Sequence, residues 1–411
     1  MFKKMTRDQK SMLLILTLIN LLNYLDRQVV FPLFANLKIE FGLTDFHLGI
    51  LSTAFLLVQS LAAFPMGIIA DKFSRRAVIS VGVAFWSLAS FASGLATSFR
   101  GLLGIRSMVG IGEASYAPAA VSMISDNFPP ENNAQIQGIF NVGMLIGGTS
   151  GAIVGGLIAY YFHDWRLAFF IVSIPGFVLA FFALRLKDTR LVHDEEKVPI
   201  KTLLVNRAFL WIIASGTLVS FAVGAFITWG IEFISRYKDY NVRDAAMILG
   251  FGMMVASTVG VLLGSYIADR LYRKYAWGRG IVVALSLMIA GPLMYLGLAD
   301  TGRAAFLFFF FTGAIFLSVY LGPVTAVLHD VVPKQFRGSA FGIYVLFIHL
   351  VGEAFAPAII GVISDASNLR TGLEFSTLFV FLAGIAFLPV VHIIRKQHLV
   401  SHPNESIEIS I

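Results

Sequence analysis

Residues 48–70 read Leu-Gly-Ile-Leu-Ser-Thr-Ala-Phe-Leu-Leu-Val-Gln-Ser-Leu-Ala-Ala-Phe-Pro-Met-Gly-Ile-Ile-Ala, without one charged side chain. The run stops on Asp71-Lys72-Phe73-Ser74-Arg75-Arg76. About 20 apolar residues in a helix cross the hydrocarbon of a bilayer, so this stretch reads as a membrane span ending at a basic interface. Eleven further runs have the same character. Those before the middle of the chain are Ser11–Ala35, Ala77–Thr97, Leu102–Ser125, Ala134–Tyr161 and Leu167–Leu186. Those after it are Ala208–Ser235, Ala245–Ala268, Ile281–Leu298, Ala304–Leu328, Gly338–Ser364 and Ser376–Ile394. A β-barrel would alternate in short segments instead. The expected fold class is an all-α membrane protein of twelve transmembrane helices.

Composition agrees. The 411 residues are 57% hydrophobic and 13% charged, where a soluble globular chain carries about 25% charge. A water-soluble enzyme and a disordered chain are both excluded. The absence of Cys removes disulfides, thiolate catalysis and Cys-ligated metal. A net charge of +7 would fit nucleic acid in a soluble protein. In a membrane chain it marks cytoplasmic loops, and no nucleic-acid partner is expected. With the N-terminus inside, 21 of the 31 Lys and Arg lie on inner segments and 8 on outer loops. Arg27 and Arg106 fall within helices. Both termini are therefore expected in the cytoplasm. The first span follows a basic tail and lacks a small-residue cleavage site, so it reads as retained.

The long polar stretch 187–207 divides the spans six and six. The expected domains are a bundle over 1–186, a cytoplasmic linker over 187–207, a second bundle over 208–394 and a cytoplasmic tail over 395–411. The halves look duplicated. Ala70-Asp71-Lys72-Phe73-Ser74-Arg75-Arg76 is matched by Ala268-Asp269-Arg270-Leu271-Tyr272-Arg273-Lys274, after the second and eighth spans. Asp126-Asn127-Phe128-Pro129 is matched by Asp330-Val331-Val332-Pro333, after the fourth and tenth. Two matches in corresponding places indicate a parallel repeat.

Ionisable side chains at bilayer depth cost about 2.5–3.5 kcal/mol each and need partners. The first span carries Asn23-Tyr24-Leu25-Asp26-Arg27, and the fourth carries Arg106 and Glu113, two turns apart on one face. Two acids and two bases make either a structural ion-pair network or a proton and anion site. The eleventh span carries His349 and Glu353 at i,i+4. Arg75 is expected to pair with Asp126, and Asp71 to cap a neighbouring helix, as a lock at the inner face. In the fifth span Gly143, Gly147, Gly148, Gly151, Gly155 and Gly156 read as a helix-packing seam. They do not read as a phosphate loop, since neither a strand nor Lys-Ser/Thr flanks them. The sequence holds no zinc-protease or serine-hydrolase motif, and no metal or cofactor is expected.

Over nearly its whole length the chain resembles the major facilitator superfamily. Gly67-x-x-Ala70-Asp71-Lys72-x-Ser74-Arg75-Arg76 is similar to that superfamily's loop 2–3 signature, with Ser74 where Gly is usual. Arg106 and the glycine-rich fifth span match as well, although Gly147-Gly148 stands where the antiporter form has Gly-Pro. Within the superfamily the chain most resembles the Spinster lipid transporters. Three stretches carry this: Asn23–Arg27, Gly110-Ile111-Gly112-Glu113-Ala114-Ser115-Tyr116, and His349-Leu350-Val351-Gly352-Glu353-Ala354-Phe355-Ala356-Pro357 through Asp365. Glu353 stands where that family more often has Asp.

The resemblance implies alternating access between two bundles and transport of an anionic sphingolipid or lysophospholipid. Asp26 and Glu113 would exchange protons, with Asp26 the main coupling site. Asn23, Arg27, Arg106, Tyr116, His349 and Glu353 would meet substrate. Gly67, Asp71, Arg75, Arg76, Asp126, Asp269, Arg273 and Asp330 would form the inner gate. The alternative is a proton-coupled symporter of a small organic anion or sugar acid, whose relatives share the helix 1 and helix 4 features. A membrane enzyme lacks any nucleophile–base or metal constellation here. The short termini and loops fit a monomeric carrier of a bacterial plasma membrane, with the lipid bilayer, protons and its substrate as partners.

Overall fold

The computed structural model describes residues 5–128, 130–187, 203, 205–299, 302–333 and 336–401. The described residues are helical throughout and contain no strand. Among the described residues, eleven segments are long and apolar enough to cross a membrane. Phe99–Asn127, 29 residues long, is a twelfth long helix and is less apolar because it carries Arg106 and Glu113. In the bilayer core only a helix or a closed barrel satisfies every backbone N–H and C=O, and these lengths are what a helix needs.

The first seven helices are α1 (Arg7–Gln28), α2 (Phe34–Phe41), α3 (Asp45–Lys72), α4 (Arg75–Ser93), α5 (Phe99–Asn127), α6 (Pro130–Tyr161) and α7 (Arg166–Leu184). There follow α8 (Arg207–Tyr237), α9 (Val242–Tyr272), α10 (Gly278–Leu298), α11 (Arg303–Val319) and α12 (Leu321–Val331). The last are α13 (Arg337–Phe347), α14 (Ala356–Ala366) and α15 (Leu369–Ser401). The expected first span is broken into α1 and α2 by a 3-10 turn at Phe31–Leu33. Pro32 supplies no N–H there, which interrupts the α ladder. The eleventh is α13 and α14 joined by a π-helical turn, Ile348–Glu353. The twelfth begins at Leu369, earlier than the Ser376 expected from hydropathy. The linker expected over 187–207 lies mostly outside the described residues.

Local chemistry sets several ends. Thr6 caps α1, its side chain accepting from Gln9 N at 3.2 Å while Gln9 Oε1 accepts from Thr6 N at 3.0 Å. This reciprocal box satisfies two otherwise orphaned donors. Gly42 ends α2 in the left-handed region at φ 62°, where a Cβ is disfavoured.

The chain forms two compact units. One comprises Met1–Asp194 and Thr228–Phe251; the other comprises Glu195–Ile227 and Gly252–Ile411. By packing, therefore, the end of α8 and the start of α9 group with the first six spans.

Within the first unit, α5 packs extensively on both α3 and α4, and α1 on α6. The α1–α6 contact is backbone on backbone. A Cβ at Gly143, Gly147, Gly151 or Gly155 would lie 2.5, 2.1, 2.4 or 2.5 Å from the carbonyl oxygens of Thr17, Leu21, Leu25 and Val29. Four glycines at a spacing of four thus match four carbonyls at the same spacing. This is how small residues let membrane helices approach. Buried Trp86, Trp165 and Tyr116 fill the unit's interior. Outward faces expose large apolar side chains such as Phe64 at 76% and Val81 at 65%, which suits hydrocarbon as the surrounding medium.

Gly147→Ala should therefore cost on the order of 1–3 kcal/mol through forced separation of α1 and α6. Gly148→Ala is the control, because its new Cβ would meet only Gln28 Cγ at 3.9 Å. Thermal unfolding in detergent should show a clear drop for the first variant and an unchanged or slightly raised midpoint for the second.

Candidate functional site

In the first unit, α1 and α5 bring four ionisable side chains together in a buried interior. Arg106 NH1 donates to Asp26 Oδ2 at 3.0 Å, and its NH2 reaches the Asp26 backbone carbonyl at 3.4 Å. Ser90 of α4 donates its hydroxyl to Asp26 Oδ1 at 2.6 Å. Arg27 NH2 donates to Glu113 Oε2 at 2.9 Å, and Gln59 Nε2 of α3 donates to the same oxygen at 3.1 Å. Asp26 is 1% exposed, Arg106 2% and Glu113 2%. Arg27 is the most accessible of the four, its side chain 17% exposed. Burial this deep is tolerable because each charge meets its opposite and further hydrogen bonds.

Aromatic faces complete the surroundings of the cations. The Arg27 guanidinium lies 4.9 Å from the Tyr24 ring centre and 5.4 Å from that of Phe55. The Arg106 guanidinium lies 5.6 Å from Phe55 and 5.4 Å from Phe169. These contacts favour a desolvated cation.

The two acids are not treated alike. Both Asp26 oxygens accept hydrogen bonds. Glu113 Oε1 has no partner among the described residues, nor has the amide nitrogen of buried Asn23. Tyr116 is 1% exposed and donates its hydroxyl to the Leu16 carbonyl of α1. Its contacts are those of an α1–α5 tie, with the ring edge-on to Trp86.

In the second unit the π-helical turn brings His349 Nδ1 within 2.5 Å of Glu353 Oε2. The His349 side chain is half exposed and that of Glu353 largely buried. Glycines bring α8 against this turn. A Cβ at Gly224 would lie 2.9 Å from Glu353 Cγ, and one at Gly352 would lie 2.5 Å from the Thr217 carbonyl. A π turn widens the helix at a place where a side chain is re-aimed, commonly at functional positions.

The basic-end cluster is partly as expected. Arg75, at the start of α4, pairs with Asp126 near the end of α5, both largely buried. Arg76 NH1 donates to the Leu186 carbonyl at 3.4 Å. A side chain at Gly67 would meet open space. The Asp71 side chain lies outside what is described. In the second half, the ion-pairing partner of Asp269 and Asp330 is Arg279. Arg279 donates to Asp269 Oδ1 at 2.8 and 3.1 Å and to Asp330 Oδ2 at 3.2 Å. The Arg273 side chain is exposed, and its backbone N–H caps on the Asp269 carbonyl. The reason is length. Arg273–Trp277 separates α9 from α10, whereas only Phe73 and Ser74 separate α3 from α4, so the base at the start of the next helix comes later.

Sequence reasoning missed several contributors. Ser90 and Gln59 are single polar residues in apolar spans, and only their depth hinted at a partner. A second charge network was missed altogether. Arg236 of α8 grips Asp45 at the start of α3 through both NH groups, at 2.7 and 2.9 Å, and donates Nε to Glu232 at 2.7 Å. Lys38 Nζ adds 2.6 Å to Asp45. Asp45 and Glu232 are buried.

Residues 16–350 match the Major Facilitator Superfamily, and the chain belongs to that superfamily. Protein spinster of Drosophila melanogaster is 30% identical over 381 residues, covering 88% of this chain and 62% of its own length. The chain thus spans less than two thirds of that relative. Human protein spinster homolog 1 is 27% identical, covering 85% of this chain and 72% of its own. Among solved structures, an inward-facing, unoccupied bacterial homologue of the human lysosomal transporter Spinster superposes with a TM-score of 0.85. It is 22% identical, over 96% of this chain and 98% of that one. A D-xylose–proton symporter gives 0.71 at 16% identity, over 92% and 96%. The protein is an integral membrane transporter and not an enzyme.

The Asp26–Arg106 pair makes a stability cycle. Arg106→Gln leaves a buried carboxylate without its cation and should cost on the order of 3–5 kcal/mol. Asp26→Asn in the same chain removes the stranded charge and keeps Oδ1 for Ser90, so the double variant should recover most of that loss. Thermal unfolding of wild type, both singles and the double measures the coupling.

Proposed function

We propose that this transporter is a proton-coupled carrier of an amphipathic anionic lipid, of the lysophospholipid or sphingolipid class, working by alternating access. The observation that carries this reading is the unequal hydrogen bonding of the two buried acids. Oε1 of Glu113 is the place where a proton can sit without displacing a hydrogen bond. Asp26 accepts at both oxygens, from Ser90 and Arg106, and serves as the counter-charge to Arg106. The expected order of the two is thereby reversed, with Glu113 the main proton site and Asp26 its partner.

With all four groups ionised the local sum is zero. A proton on Glu113 leaves the site near +1 and loosens the hold on Arg27, the accessible guanidinium. A phosphate or carboxylate can then be bound bidentately. Proton and anion each favour the other's binding through one charge balance, and the linkage is reciprocal. Asn23, with its unpartnered amide, contributes a further donor, and His349 and Glu353 the contacts of the second bundle. The lipid class rests on the Spinster similarity of the three stretches quoted above.

The moving parts are the bundles 1–186 and 208–394. Arg75–Asp126 and Arg279–Asp269–Asp330 hold the cytoplasmic ends of their helices, with Gly67, Asp71, Arg76 and Arg273 beside them. The charge split along the chain supports cytoplasmic termini in a bacterial plasma membrane, and the carrier acts as a monomer. The second reading is symport of a small organic anion. The likeness in fold to a proton symporter favours it, since Arg27 receives a small carboxylate as well as a lipid phosphate.

The test is uptake into proteoliposomes of a panel holding lysophospholipids, sphingoid lipids and sugar acids, with and without an imposed proton gradient. Wild type should accumulate a lipid, and the gradient should drive it. Glu113→Gln should bind the same lipid yet lose at least about tenfold of gradient-driven uptake. Gradient-driven accumulation that survives in Glu113→Gln would overturn the assignment of the proton. Uptake confined to sugar acids would select the second reading.

A further inference from the structure

In the second unit, away from every residue invoked so far, α10 and α15 enclose a cavity of about 540 Å³. The two helices touch backbone to backbone at Gly291, where a Cβ would lie 2.9 Å from both Phe381 N and the Thr377 carbonyl. Pro292 follows inside α10, and the cavity lies beside this crossing. Its walls include Tyr295, Phe375 and Phe381, with Thr371 and Glu374 at one side. Tyr295 is 48% exposed and Phe375 41% exposed, so the aromatic wall is open to whatever surrounds the protein.

Glu374 is the feature that packing does not explain. It lies in the second turn of a membrane-spanning helix, and its carboxylate makes no hydrogen bond or close ion pair among the described residues. Arg370, one turn earlier on α15, acts on it electrostatically. A cavity lined by one acid and three aromatic rings is an arrangement that attracts an alkylammonium group. The rings offer their negative faces and the carboxylate supplies the counter-charge. The neighbouring arginine disfavours a bare cation and suits a zwitterion, with the ammonium toward Glu374 and a phosphate toward Arg370. The apolar floor around Phe381 and Leu378 suits an acyl chain.

We infer that the cavity between α10 and α15 is a binding site for a membrane phospholipid with a cationic amine headgroup, held by Glu374 and the rings of Tyr295, Phe375 and Phe381. This site shares no residue with the four-charge centre and does not depend on the transport reading. Choline and ethanolamine headgroups share the required chemistry. A glycerol headgroup has the phosphate and lacks the ammonium.

The experiment uses the purified full chain with equal amounts of phosphatidylethanolamine, phosphatidylcholine and phosphatidylglycerol, and native mass spectrometry to count retained lipid. Wild type should retain one or both amine lipids over phosphatidylglycerol by roughly fivefold or more. Glu374→Gln should bring the three close to parity, and Glu374→Asp should keep the preference. A thermal midpoint for Glu374→Gln within a degree or two of wild type shows that the fold is intact. Should that variant unfold, Tyr295→Ala serves in its place and should lower the preference part of the way. Parity in wild type, or a preference that survives in Glu374→Gln, would overturn the proposal. Ethanolamine retained over choline points to hydrogen bonding by a primary ammonium at Glu374. The reverse order points to the aromatic rings, and either supports the site.

Discussion

Two arginines placed in hydrocarbon must each find a carboxylate, and the architecture of the first unit follows from that requirement. Asp26 and Arg27 are adjacent on α1, so they leave the helix about 100° apart. Their partners, Arg106 and Glu113, are two turns apart on α5. The pairs Arg106–Asp26 and Arg27–Glu113 therefore pin α1 to α5 at two heights and fix both the crossing and the rotation of the helices. Truncating either arginine strands a charge, and a mere slide of one helix along the other would do the same. α5 is the long helix without an apolar stretch of spanning quality, and it packs on α3 and α4, which supply Gln59 and Ser90 as additional hydrogen-bond donors. Its Arg106 and Glu113 are buried in that packing while one face stays exposed.

On its other side α1 lies against the glycine face of α6. This contact and the charge pairs do different work. The glycines remove side chains so that dispersion contacts act over the whole length of two backbones. The charges specify one register out of those that a smooth face would allow. Asn20, donating to the Phe140 carbonyl at 2.9 Å, and Tyr116, donating to that of Leu16, tie α1 to α6 and α5 at further points. A helix held at so many points is fixed to its neighbours, which is the property that the proposed rocking of bundles requires of its first helix.

Much of this was legible in the sequence, for reasons that can be stated. Spans are readable because hydrocarbon thickness fixes a length, and the α6 seam because a spacing of four is a helix face. The four central charges stood out because ionised groups are so costly in lipid. Arg75 was assigned to Asp126 because both sit at helix ends beside the same interface. Partners that depend on which helix lies next to which were not legible. Ser90 and Gln59 look like ordinary polar residues until α4 and α3 are seen around α5. Arg279 was hidden because a fixed offset between repeats locates equivalent residues only where loops have equal length. Arg236 and Asp45 are 191 residues apart, and no local pattern joins them. The breaks at Phe31–Leu33 and Ile348–Glu353 were also missed, because hydropathy continues unbroken through both. Hydropathy reports apolarity and is blind to whether a hydrogen-bond ladder is α, 3-10 or π.

What separates a structural charge from a working one in such a centre is saturation. A buried carboxylate whose oxygens both accept from fixed donors has no bare oxygen, whereas one whose donors converge on a single oxygen leaves the other open. Asp26 is of the first kind. Glu113 has one oxygen shared by Arg27 and Gln59 and one with no protein donor. An unmet buried acceptor costs on the order of 1–3 kcal/mol, so a fold retains one where something else serves it. A proton meets that need without a change of shape, and it weakens the hold on Arg27, the more accessible of the two guanidiniums. The proposed coupling thus requires no additional residue, because it uses the one oxygen of the two buried carboxylates that accepts no hydrogen bond from a described residue.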